Sequence, residues 1–278
     1  FFSDMSFKTI IERLLSESQR QLTLEQPSLD VTFKNFRFSL VGEPLTQNST
    51  HFCLRRHPEN PWTFSKLIEH KWCTDAELEI IIQLLNSKSS LLIIGPTGSG
   101  KTSVINALLN QVPENERCLL IEDNSEICIP NPVSLKLLTR EDPFGILPAI
   151  TQNDLIKKSL RLRPDRLIMG EIRGIEAKDF LLALSTGHSG SLATLHAKDP
   201  HEALLRLEML IQMGAPQWSL SSIRRLIYLS LHHILVVDKN INGKRFLKGI
   251  YKINSLEDLG FLLEKLDPEI DHLYHPRP

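Results

Sequence analysis

Apolar residues along this chain recur with two different periods, and the points where the period changes mark out its elements. Phe7, Ile10, Ile11, Leu14 and Leu15 fall at helical spacing, which predicts an amphipathic helix over residues 1–20. Residues 29–40 (LDVTFKNFRFSL) and 51–55 (HFCLR) alternate roughly every second position and predict short strands. A helical zone over 64–87 leads into four aliphatics, Leu91 to Ile94, the pattern of a strand covered on both faces. Short apolar runs and helical stretches then take turns. Helices are predicted over 103–110, 153–161, 176–186, 201–213 and 219–231, and strands over 118–122, 163–171 and 191–197. Between Glu126 and Arg140 the pattern is a polar, proline-containing excursion without an element. Residues 232–253 predict a hairpin around Asn242-Gly243. HPENPW (57–62) carries two prolines and an asparagine and reads as a linker. The predicted organisation is a partial N-terminal domain at 1–56, a linker at 57–63 and a larger α/β domain at 64–278.

Strands alternating with helices imply a parallel sheet with helices on both faces, and such sheets bind ligands beyond the carboxyl ends of their strands. The Leu91–Ile94 strand runs into GPTGSGKT, Gly95 to Thr102, and then into a helix. That is the context a phosphate-binding loop requires. Its glycines let successive N–H groups turn inward onto phosphate oxygens, and the helix adds its positive end. Gly95, Pro96, Thr97, Gly98, Ser99, Gly100, Lys101, Thr102 and Ser103 are therefore the candidate nucleotide-binding residues. Lys101 would reach the β- and γ-phosphates, and the Thr102 hydroxyl would hold Mg²⁺. The expected cofactors are ATP and Mg²⁺.

Three further strands end in groups fit for phosphoryl chemistry: Glu122 with Asp123, Glu171, and His196. Glu171 is the expected general base for water, with Glu122 as its alternative; both are candidates for the Mg²⁺ shell, while Asp123 and Glu126 organise their loop. His196 is a candidate γ-phosphate sensor. His188, just after Gly187, is either catalytic or a helix C-terminal residue. Arginines that could neutralise the transition state include Arg140, Arg161, Arg163, Arg166 and Arg173 around the acidic strands, and Arg37, Arg55 and Arg56 in the first domain.

Composition narrows the rest. The 278 residues carry a net charge of −1, which argues against direct nucleic-acid binding. Cys53, Cys73, Cys118 and Cys128 show no CxxC spacing, so neither zinc nor a disulfide framework is read; Cys118 fits a core thiol in a reducing compartment. No apolar run approaches the ~18 residues of a membrane span, and no secretory leader is evident. The chain begins with Phe1, so further residues are expected upstream.

Four motifs, in order, resemble those of the hexameric secretion ATPases of type II and type IV secretion and type IV pilus systems. GPTGSGKT is similar to the Walker A loop, and LLIEDNSEI with Arg140 to the Asp box. LRLRPDRLIMGEIRGIEA is similar to the atypical Walker B, with Gly170 in place of aspartate, and TGHSGSLATLHA to the His box. The resemblance spans about residues 10–258 and implies a PAS-like N-terminal domain joined to a RecA-like P-loop domain. It also implies a homo-hexamer, cytoplasmic and peripherally associated with inner-membrane platform proteins of a secretion or pilus machine. By the same resemblance, Arg37 and Arg55 reach the nucleotide, with Arg56 a weaker candidate. The tail over 217–253 is more like the conjugation, type IV secretion and tight-adherence branch. The competing readings are a P-loop kinase or GTPase switch, for which no NKxD is present, a nucleic-acid motor on the same core, and a non-hydrolysing ring subunit.

Overall fold

A computed structural model describes residues 3–18, 20–33, 36–47, 49–56, 61–141, 147–257 and 260–267. The chain divides into two compact units, Phe1–Asn60 with Asp142–Leu147, and Pro61–Glu141 with Pro148–Pro278. Of the predicted linker, residues 57–60 lie outside the described residues.

In the first unit, helix α1 (Asp4–Glu17) starts at Ser3, whose hydroxyl accepts from the Ser6 backbone N–H. Strands β1 (Ser28–Phe33), β2 (Phe36–Val41) and β3 (His51–Arg56) form an antiparallel sheet in sequence order. The 29–40 run is thus two strands rather than one. Ile11 of the helix packs with Leu29, Val31 and Leu40, and Phe7 meets Phe52 with ring centroids 5.5 Å apart. Of the predicted apolar stripe, Phe7, Ile11 and Leu15 meet the sheet, whereas Ile10 is exposed.

The second unit opens with helices α2 (Phe64–Glu69) and α3 (Asp75–Asn86), the latter locked by a Thr74–Glu77 capping box. Strand β4 (Leu91–Ile94), helix α4 (Lys101–Leu109), strands β5 (Cys118–Glu122) and β6 (Leu135–Leu138), and helix α5 (Gln152–Ser159) follow. Next come β7 (Arg166–Met169), α6 (Glu176–Ser185), β8 (Leu192–Leu195), α7 (Pro200–Gly214) and α8 (Leu220–Ser230). The unit closes with β9 (His233–Lys239), β10 (Arg245–Glu257) and β11 (Gly260–Lys265). The eight strands stand in the order β11-β10-β9-β4-β8-β7-β5-β6. From β9 to β6 all neighbours are parallel, and the last two strands turn back antiparallel.

The two-residue period sorts the core into two layers. Leu91 and Ile93 of β4 pack with α3 and α4 on one face, while Leu92 and Ile94 pack with α6, α7 and α8 on the other. The strand is buried throughout, which is why it reads as a run of aliphatics rather than an alternation. Arg166 is an unusual member of this core at 1 % exposure. Its guanidinium is spent entirely on the amino edge of the sheet, meeting Glu116 at 2.6 Å and the carbonyls of Gly190 and Leu85 at 3.1 Å each. Among the described residues no helix is long and apolar enough to cross a membrane.

Two strands were outside the sequence pattern. β6 is an edge strand with only its middle two residues half-buried, so it has no apolar run of its own. β11 extends the predicted hairpin to a three-stranded meander.

Candidate functional site

The glycine loop leaves β4 and enters α4 through backbone conformations that suit glycine: φ is 77° at Gly98 and 95° at Gly100. A Cβ on Gly95 would run into the Val237 carbonyl oxygen. Helices α3, α5, α7 and α8 each begin at a residue whose side chain accepts from a first-turn N–H. α4 begins at Gly100 with no side-chain cap. No side-chain oxygen competes at this helix start, and an anion is what the positive end of a helix suits. Thr102 and Ser103 stand half-buried on that first turn. A helix start without a side-chain cap, beside a lysine and a hydroxyl, fits a nucleoside triphosphate with its Mg²⁺.

Lys101 is 8 % exposed, and its ammonium group donates to the carbonyls of Gly95 (2.9 Å) and Pro96 (3.2 Å). It also lies 3.1 Å from His196 Nδ1. His196 Nε2 in turn lies 2.9 Å from Glu171 Oε1. The other oxygen of Glu171 accepts from Arg173 Nη2, and Arg173 Nη1 is 3.9 Å from Asp123. One polar chain thus links the ends of β4, β8, β7 and β5. Burial, and secondarily the Lys101 charge, hold the His196 pKa below its ordinary 6.5 and so favour the neutral ring. The neighbours select the tautomer: Nδ1 accepts from Lys101, and Nε2–H donates to Glu171.

Glu122 stands elsewhere. It is 3 % exposed, and its Oε1 accepts from the backbone N–H groups of Glu126 (3.1 Å) and Ile127 (3.0 Å). Its Oε2 lies 3.5 Å from Lys136 on β6. Both oxygens are turned to its own loop and the edge strand, the organising role foreseen for Asp123 and Glu126. Burial pushes its pKa up from 4.5 to about 7, against Lys136 and the two backbone donors, which lower it. The folded chain therefore binds this proton more tightly than the unfolded chain, and stability falls as pH rises from about 4.5 to about 7. Glu122→Gln keeps an acceptor for both N–H groups and has no charge to bury. Relative to the unaltered chain it is expected to gain up to about 3 kcal/mol between pH 5 and pH 8. Thermal unfolding of both proteins at the two pH values checks this; an equal difference at both would overturn the burial account.

The side chain of Glu122 also explains Gly170. A Cβ at position 170 would lie 2.9 Å from Glu122 Cγ and 3.4 Å from the Ile121 carbonyl oxygen. Glutamate at the end of β5 fills the space where an aspartate at the end of β7 would stand.

Three expectations fall apart from this cluster. His188 precedes β8 at the amino edge of the sheet, opposite to the glycine loop, and its Nδ1 bonds the Ala183 carbonyl at 2.9 Å. Within one chain it is a helix C-terminal residue and does not join the site. Arg140 follows β6, four strands from β4, about 19 Å away at the usual strand spacing. Its guanidinium bonds the Pro148 carbonyl at 2.8 Å. Arg166 is the buried residue of the amino edge. In the first unit, Arg37 and Arg55 stand directly opposite one another on β2 and β3, with Arg37 at 3.0 Å from Asp30. Among the described residues no cluster of three or more histidine, cysteine or acidic side chains has metal-site geometry.

Sequence reasoning missed Arg173, naming it only among several arginines, and missed Arg245, whose Nε donates to the Gly98 carbonyl at 3.0 Å. Arg173 could have been found from its place two residues after Glu171. Arg245 has no local signal. Beside it, Trp62, His70, Trp72, Gly100, Ser103 and Lys244 help line a cavity of about 180 Å³ at the outer side of the loop.

Comparison with known proteins adds the context. The sequence family described as "Type II/IV secretion system protein" matches residues 8–238. The type IV secretion system protein VirB11 of Bartonella quintana is 33% identical over 196 residues, 68% of this chain and 54% of that protein. The crystal structure of the VirB11 ATPase from the Brucella suis type IV secretion system, in complex with sulphate, aligns with a TM-score of 0.56 at 21% identity. It covers 90% of this chain and 81% of that one. The pilus retraction motor PilT with bound ADP aligns with a TM-score of 0.58 at 20% identity, over 86% of this chain and 64% of that one. These likenesses show a mixed α/β, RecA-like fold, with a small antiparallel N-terminal sheet beside it in sequence.

Proposed function

The chain belongs to the type II/IV secretion system protein family, and from that premise we propose that it is an ATP-hydrolysing motor subunit for secretion or pilus assembly. The observation that carries the reading is the polar chain Lys101–His196–Glu171–Arg173 at the mouth of an uncapped glycine loop. Family membership leaves the kinase and nucleic-acid-motor readings without support.

In this reading the triphosphate lies in the glycine loop, against the N–H groups at the start of α4 and the ammonium of Lys101. Thr102 holds Mg²⁺, which supplies positive charge at the β- and γ-phosphates when bound. Glu171 takes the proton of the attacking water through one carboxylate oxygen while Arg173 holds the other in place. His196 reports on the γ-phosphate indirectly. When phosphate draws Lys101 away, the imidazole loses its Nδ1 donor and the hold of Nε2–H on Glu171 changes with it. Arg37 and Arg55, adjacent on the small sheet, add charge to the nucleotide in the assembled ring; Arg140 and His188 are open to a neighbouring subunit. The subunit assembles as a homo-hexamer on the cytoplasmic side of the inner membrane against platform proteins of its machine.

ATPase activity per subunit, measured with Mg²⁺ across a range of protein concentration, tests the reading. Specific activity is expected to climb with concentration, in step with oligomer mass from light scattering. Nucleotide uptake without turnover at any concentration would overturn it.

A further inference from the structure

We infer that the hairpin of β9 and β10 carries a second cationic hold on the nucleotide, with Lys239 and Arg245 binding its phosphates from outside the glycine loop. This rests on the nucleotide site proposed above. Strand β9 is the parallel neighbour of β4, with Val236 in register with Ile94, so its carboxyl end emerges beside the loop. Lys239 is the last residue of that strand, and Arg245, the first of β10, lies directly across from it in the antiparallel ladder. Two like charges directly opposite on one face of a strand pair repel. Here both meet the same loop. Arg245 Nε bonds the Gly98 carbonyl at 3.0 Å, and a Cβ on Gly100 would lie 2.9 Å from Arg245 Cδ. A Cβ on Gly98 would lie 3.4 Å from Lys239 Nζ.

Neither cation pairs with a carboxylate among the described residues. The nearest acid on the hairpin, Asp238, is engaged by the Lys239 backbone N–H at 2.8 Å and by Lys248 at 3.5 Å. With Nε spent on Gly98, the guanidinium of Arg245 keeps its remaining N–H donors. An opposed cation pair held at a phosphate loop is relieved by an anion, and the anion that this loop suits is a phosphate chain. Lys244 and Arg245 also line the cavity formed with Trp62, His70 and Trp72, and Glu171 is not among its lining residues, so the hold lies apart from the Glu171 side of the loop. It should therefore act on ADP and ATP alike.

Binding of ADP and of Mg-ATP to the full chain is to be measured for the unaltered protein, Arg245→Gln, Lys239→Gln and the double variant, at low and high salt. Each single change is expected to weaken both nucleotides by the same factor, about tenfold, with the salt dependence reduced as charge is lost. If a variant also lowers the unfolding temperature of the nucleotide-free protein, Arg245→Lys decides: restored affinity supports the inference, and affinity that stays lost overturns it. Variants that bind ADP within twofold of the unaltered protein, with unchanged salt dependence, overturn the hairpin hold alone. Failure of the unaltered chain itself to take up ADP would bring down the nucleotide site with it.

Discussion

Glu171→Gln is expected to bind ATP as tightly as the unaltered chain and to hydrolyse it about 10²–10⁴ times more slowly, the usual loss on removing a general base. The amide is close in shape to the carboxylate, and its oxygen can still accept from His196 Nε2, which lies 2.9 Å from Glu171 Oε1. It cannot take a proton from water, and its NH₂ faces Arg173 where the carboxylate oxygen stood. Binding and chemistry should therefore separate cleanly. Equilibrium binding of a fluorescent ATP analogue, set beside single-turnover hydrolysis, reads the two quantities independently. Turnover at the unaltered rate would remove Glu171 as the base and pass the role to Glu122, the remaining candidate carboxylate. The burial of Glu122 under its own loop makes that the less economical arrangement.

Lys101→Ala should fail one step earlier, at binding. The ammonium group is 8 % exposed and sits between two loop carbonyls and an imidazole nitrogen, poised where phosphate oxygens would replace them. Hydrogen bonds to charged groups contribute about 1.5–3 kcal/mol each. Loss of two such contacts weakens ATP roughly 100-fold or more, and turnover falls with it. Calorimetric titration with Mg-ATP is the direct check. A variant that bound within a few-fold of the unaltered chain would mean that the triphosphate does not meet Lys101.

Much of this was open to a reader of the sequence, for a physical reason that varies with the residue. Gly95 to Thr102 declares itself because its function is local: a tight turn, inward N–H groups and a helix start need particular residues at consecutive positions. The convergence of β4, β5, β7 and β8 at one edge followed from the parallel-sheet rule, and the Lys101–His196–Glu171 contacts lie at that edge. What stayed hidden depends on partners far along the chain. β6 is a strand because it hydrogen-bonds β5, not because of its own pattern. The Arg245–Gly98 bond spans 147 residues, and an arginine after a hairpin turn looks like any surface cation. Glu122 and Glu171 are both strand-end acids, and the sequence ranks Glu171 first without showing what either side chain meets. Packing supplies that difference, since one is turned to backbone donors of its own loop and the other to His196 and Arg173.

The contact of Glu122 with Gly170 has a consequence for how this site can vary. Two neighbouring strands share a single volume for one acidic side chain, and the chain has assigned it to β5. A substitution at either position is constrained by the occupant of the other. Gly170→Asp alone forces two carboxylates into room for one, and Glu122→Gly alone leaves the Glu126–Ile127 turn without its acceptor. The viable route between the two arrangements is a concerted exchange, so the pair behaves as one inherited character with two states rather than as two independent letters of the sequence.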